Sequence, residues 1–254
     1  MDLASLKAFF VRLGVLLVMF WGAGLPVSPT AAQAPILNPC TNEPFISLLT
    51  NASILKAYPQ IGSLGNWEVR IELVKDEITR AFSEFTETHQ GQVIAVTLDG
   101  VVQIAPIVQA RLEDVIVLSG NFSAAEAKEI AAIISTEPLP VPLSYDSIGV
   151  SGRGTRLGFS LPESIEAGVL GQVIAIVDRR LSLLEVSGVL VFGVGSHQIS
   201  LDLPGGFSPE VVIPALVRPG LLELVDGSIP EGCTAERLTP GQVILTTEGQ
   251  KRSR

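Results

Sequence analysis

An α+β fold in two small units, each built on a largely antiparallel sheet, is what three features of this 254-residue sequence predict. Short apolar, β-branched runs bounded by turn residues alternate with stretches of helical period. Asp99-Gly100 stands between two such runs, and an Asp-Gly pair there is a strong hairpin signal because both turn positions favour φ > 0. A Gly- and Ser-rich stretch over residues 145–158 lacks any apolar period and reads as the boundary between the units.

Taken in order, residues 1–34 carry Lys7 and Arg12, an apolar run over 13–27, and then Ser28-Pro29-Thr30-Ala31-Ala32-Gln33-Ala34. That is the order of a secretory signal peptide, with Ala32-Gln33-Ala34 or Thr30-Ala31-Ala32 fitting the cut. The other reading is a retained N-terminal anchor, although an uninterrupted run of about fifteen residues falls short of the roughly twenty that span a bilayer. Either way the rest of the chain is expected outside the cytoplasm, soluble after cleavage or held to the membrane by residues 13–27. No second run of comparable length and apolarity follows, so membrane contact is expected only through that segment. The formal net charge of −9 leaves little attraction for nucleic acid or anionic lipid. About 220 residues beyond residue 34 are enough for two small domains.

Residues 36–66 are irregular, with a short helix expected around 45–57. Residues 67–74 alternate as a strand, and residues 75–89 follow as a helix with Ile78, Ala81, Phe82 and Phe85 inward. Residues 93–98 and 101–108 form the hairpin, and 115–118 a third strand. Ser123 with Glu126 is a capping box that opens a helix carrying Ala127, Ile130, Ala131 and Ile134 on one face. Pro138, Pro140 and Pro142 stop it. Gly152-Arg153-Gly154-Thr155-Arg156-Leu157-Gly158 lacks the Gly-Lys-Ser/Thr ending of a phosphate loop and reads as linker. A helix over 162–184, strands over 189–194 and 198–203, a helix over 208–217 and a strand over 221–225 then give four-fifths of a ferredoxin-like fold.

Several of these residues resemble the first periplasmic region of SecD, an accessory subunit of the Sec protein-export machinery. The head-like set is Phe82, Phe85 and Thr86; Leu98-Asp99-Gly100; Ala105-Pro106; Gly120-Asn121-Phe122-Ser123 with Glu126-Ala127; and Leu139-Pro140-Val141-Pro142-Leu143. The base-like set is Arg179-Arg180, Leu203-Pro204-Gly205 and Gly220-Leu221-Leu222-Glu223-Leu224. The resemblance implies a signal peptide or anchor over 1–34, a head-like domain over 35–146, a ferredoxin-like base domain over 147–226 and a tail over 227–254. The order departs from the family, where base precedes head. The family's later transmembrane helices, with their proton-coupling Asp, are also missing, so no proton-driven motor is expected.

Catalytic readings fare badly. His89 ends a helix and His197 lies at a hairpin; Ser119 and Ser196 lack a nucleophile-elbow context; Asp99 is explained by its turn, which leaves Glu113 and Asp114 without a carboxylate partner. Cys40, Cys233, His89 and His197 are too scattered in sequence for a metal site. No catalytic, cofactor-binding or metal-ligating residue is therefore assigned, and no cofactor. Cys40 and Cys233 either join the two ends as a disulfide or stay unpaired. The resemblance implies an exported interaction module whose partners are unfolded or translocating polypeptides and Sec components. The alternatives are an extracytoplasmic binding protein that reuses the fold and a hydrolase with an unrecognised site.

Overall fold

The computed structural model describes residues 34–252, and the signal or anchor segment lies outside the described residues apart from Ala34. These residues form an α+β structure of three antiparallel sheets and five α-helices, divided into two compact units. The first unit comprises residues up to Ala127 together with those from Leu221 onward; the second is Lys128–Gly220. In chain order the elements are β1 (Ser47–Thr50), β2 (Ile54–Ile61), β3 (Trp67–Leu73), α1 (Glu77–Thr88), β4 (Ile94–Leu98), β5 (Val101–Ile104), β6 (Val115–Phe122) and α2 (Ala124–Ile134). Then follow β7 (Ser144–Ser151), β8 (Gly154–Ser160), α3 (Val169–Leu183), β9 (Leu190–Val194), β10 (Gln198–Pro204), α4 (Pro209–Val217), β11 (Leu222–Asp226) and α5 (Thr247–Arg252).

In the first unit, one sheet runs β1-β11-β4-β5 and another β2-β3-β6. All five residues of β4 are buried, because a strand with neighbours on both sides and cover on both faces keeps no wet face. The β4–β5 turn is the expected one: Asp99 has φ 56° and Gly100 φ 76°, the pair of positive values a type I′ turn requires, and Leu98 faces Val101 across the ladder. Asp99 does more than turn. Its backbone N–H donates to the Leu221 carbonyl at 2.8 Å and its Oδ1 accepts from the Leu221 N–H at 2.9 Å, which sets the start of β11 against the end of β4.

Several expectations need correction here. Residues 45–57 are not helical: β1 pairs with β11 and β2 with β3, and the short 3-10 turn between them is capped by the Thr50 side chain. β6 does not extend the hairpin but pairs with β3, so the expected single sheet of this unit is two. On α1 the inward face is Thr79, Phe82, Ser83 and Thr86, while Ile78 is exposed. Its start explains the rotation: Asp76 and Thr79 form a capping box, and Thr79 Oγ1 also donates to the Val74 carbonyl at 2.7 Å, which pulls that side inward. The second box, Ser123 with Glu126, opens α2 as expected.

The second unit carries the sheet β7-β8-β10-β9. Residues 145–158, expected as linker, are instead most of the β7–β8 hairpin. Gly154 (φ 146°) serves close approach: an added Cβ there would lie 2.4 Å from the Leu203 carbonyl. α3 begins at Val169, not at 162. The strand expected to complete the ferredoxin-like unit, β11, belongs to the sheet of the first unit, and β7 occupies the edge beside β8 where it would have stood. The sheet therefore keeps a ferredoxin-like order with its edge strand drawn from before β8. The compact units accordingly differ from boundaries at 146 and 226, since β11 and the following residues pack on the first unit.

One sheet face of this unit packs Leu157, Phe159, Ile199, Leu201 and Leu203 against Val173, Val177 and Leu181 of α3 and Val212 and Leu216 of α4. Leu139 and Leu143 of the proline-rich stretch join this core. Arg180, fully buried, is the exception to its apolarity. Its Nε donates to Thr136 Oγ1 at 3.1 Å, Nη1 to the carbonyls of Ala215, Leu216 and Arg218 at 3.0, 3.3 and 2.6 Å, and Nη2 to the Pro219 carbonyl at 2.9 Å. A cation thus closes the carbonyl-rich C-terminal end of α4, where the helix dipole favours positive charge.

Two substitutions test this account. Gly100→Val should destabilise the first unit by about 1–3 kcal/mol, because a β-branched residue resists positive φ, and thermal unfolding reads the loss. Arg180→Met should destabilise the second unit by about 3 kcal/mol or more, each buried carbonyl left without a donor costing about 1–3 kcal/mol. Chemical denaturation followed within the second unit checks it.

Candidate interaction edges

The residues considered for chemistry are held apart in structural roles. His89 Nδ1 is 2.9 Å from the Phe85 carbonyl at the end of α1, and His197 Nδ1 is 3.0 Å from Ser196 Oγ in the β9–β10 turn. Ser119 donates to Glu68 at 3.0 Å. Glu113 pairs with Arg111 at 3.3 Å and Asp114 with Lys75 at 3.0 Å, both at the surface. Cys40 and Cys233 form a disulfide with Cα atoms 5.8 Å apart. Among the described residues no group of three His, Cys, Asp or Glu side chains is placed to hold a metal ion.

Sequence reasoning missed what several motif residues do. Thr86 Oγ1 accepts the Leu112 N–H at 2.9 Å, fixing the loop that leads into β6. Glu223 is fully buried in β11, where Ser47 Oγ donates to it at 2.5 Å and Thr246 Oγ1 at 2.9 Å. Burial pushes its carboxyl above the ordinary range, against the pull of those two hydroxyls. A raised carboxyl can mark a general acid, but both oxygens here are engaged by hydroxyls that bind β11 to β1 and to the residues before α5. An apolar void of about 10 Å³ does lie among Val96, Ile104, Val108, Leu112, Ile116 and Leu224. It has room for at most one water and no polar group to hold it.

The sheet of the second unit exposes apolar residues along both of its edge strands. β7, its outer strand, is exposed over seven of its eight residues, including Tyr145 at 39%, Ile148 at 59% and Val150 at 94%. At the opposite edge, Leu190, Phe192 and Val194 alternate along β9 and are all exposed. Beside them Arg156 is clamped by both carboxylate oxygens of Asp202, at 2.7 and 2.9 Å, and stands 5.6 Å from the Phe192 ring centroid. The Arg156 hydrogen bond holds the Asp202 carboxyl below its usual range. β2, an edge strand of the first unit, carries Lys56 and Pro59, residues that block strand addition. β7 and β9 contain neither Lys nor Pro. What these edges can do chemically is pair with an extended chain through backbone groups and seat its alternate side chains.

The family described as SecDF, P1 head subdomain, matches residues 42–141, so the chain carries a SecD-family region. The chain is similar to protein translocase subunit SecD of Aquifex aeolicus, 33% identical over 130 residues, which cover 51% of this chain and 25% of that protein. SecD of Endomicrobium trichonymphae is 34% identical over 134 residues, 52% of this chain and 27% of that protein. Protein translocase subunit SecDF of Thermus thermophilus is 33% identical over 128 residues, 50% of this chain and 17% of that protein. The chain thus spans only about a quarter of the length of the first two relatives. No solved structure matches it.

The buried carboxylate gives a pH test. With its folded pKa raised, Glu223 keeps its proton in the native state after the unfolded chain has released it. Its contribution is therefore fully present below the unfolded pKa and is lost as pH rises through the folded one. Glu223→Gln should remove that loss: the urea midpoint of the wild type, relative to the variant, falls between pH 4 and pH 7. A constant difference across that range would contradict the assignment.

Proposed function

We propose that this chain serves protein export as an extracytoplasmic, SecD-like interaction module that contacts translocating or newly exported polypeptides, with Sec export components as further partners. The observation that carries the reading is the match of residues 42–141 to the SecDF P1 head subdomain, supported by relatives named as protein translocase subunits. The open β7 and β9 edges supply a physical means, because an extended polypeptide can add as a strand where an edge lacks Lys and Pro. In this reading the chain holds or guides a polypeptide, turns nothing over, and uses no nucleotide, metal or cofactor. In this reading the chain also does not drive movement.

Fluorescence anisotropy with a labelled exported precursor tests the proposal. The unfolded precursor should bind weakly and its folded form should not. Ile148→Lys combined with Phe192→Lys should weaken binding by about tenfold or more, a difference of about 1.4 kcal/mol, without lowering the melting temperature. Equal affinity for both forms, or no binding at high micromolar protein, would favour an extracytoplasmic binding protein that reuses the fold for another partner.

A further inference from the structure

The segment that follows β11 lies along both flanks of the β1-β11-β4-β5 sheet. On the β5 side, Val102 N–H donates to the Gln242 carbonyl at 2.8 Å, Gly241 N–H to the Val102 carbonyl at 2.8 Å and Ile244 N–H to the Gly100 carbonyl at 2.9 Å. On the other side, Ile36 N–H donates to the Val243 carbonyl at 2.9 Å, and Phe45 N–H to the Leu245 carbonyl at 2.8 Å. Ile244 and Leu238 also enter the apolar cluster of Phe45, Ala95, Val102 and Val225. β5 is an edge of its sheet, and residues 241–244 cover it as a short extended stretch would. The covalent tie is the bond from Cys233 to Cys40, 193 residues apart, and both cysteines are half-buried, within reach of a small reductant.

We propose that residues 227–246 are a strap latched by the Cys40–Cys233 disulfide, and that opening the latch frees the β5 edge for an extended polypeptide strand. The strap itself defines that occupant, an extended stretch with an apolar residue turned inward at the place of Ile244. The opening step is thiol–disulfide exchange with a dithiol. One thiolate attacks a cysteine sulfur to give a mixed disulfide, and the second closes the reductant to its own disulfide. Two electrons and two protons thereby pass to Cys40 and Cys233, which leave as free thiols.

The test compares the oxidised protein, the dithiol-reduced protein and a Cys40→Ser, Cys233→Ser double variant without reductant. Amide exchange at Val102, Gly241 and Ile244 should accelerate by at least about tenfold in the last two. Exchange at Val69 and Ile71 of β3 should stay unchanged. A labelled synthetic peptide of residues 238–248 should raise its anisotropy on the reduced protein and the double variant but not on the oxidised protein. Unchanged exchange at the three amides, acceleration throughout β3 as well, or equal peptide binding to all three forms would overturn the proposal.

Discussion

A central strand must have both of its hydrogen-bonding edges filled, and in the first unit that strand is β11, lying between β1 and β4. Neither neighbour is adjacent in sequence: Leu224 faces Val96 on one side and Leu49 on the other. The sheet therefore depends on a strand supplied from far along the chain. Closing so long a loop costs more than a local hairpin, though the cost grows only with the logarithm of length. The contacts that offset it converge on β11. Asp99 holds Leu221 just before it, the Glu223 carboxyl ties it to Ser47 and Thr246, and the Cys40–Cys233 bond joins the segments on either side. In the chain-entropy view a crosslink enclosing so long a loop contributes about 5 kcal/mol.

What was legible in the sequence was local. The Asp99-Gly100 turn and the Ser123–Glu126 box were readable because each is decided within four residues. The proline-rich end of α2 was readable for the same reason, since a proline's effect does not depend on distant partners. The pairing of β11 was not legible, because a buried apolar strand reads the same whichever sheet receives it. β7 was taken for linker since a strand exposed over seven of its eight residues buries no face and so needs no apolar alternation, and its serines and glycine look like those of a loop. The face of α1 was misjudged because Thr79, Ser83 and Thr86 turn inward to hydrogen-bond partners, an effect apolar periodicity cannot report.

The motif residues are structural clamps. Thr86 holds a loop amide, Asp99 holds Leu221, Arg180 closes the end of α4, and Glu223 joins strands. β2 carries Lys56 and Pro59, whereas β7 and β9, the two edges of the second unit's sheet, carry neither.

Site-specific photo-crosslinking during export tests that account most directly. A photoreactive residue is placed singly at Ile148 on β7, at Phe192 on β9 and, as an exposed control, at Glu77 on α1. The account predicts adducts between an exported precursor and the first two positions while translocation is arrested, with little from the third. Equal yields from all three, or adducts from Glu77 alone, would contradict it.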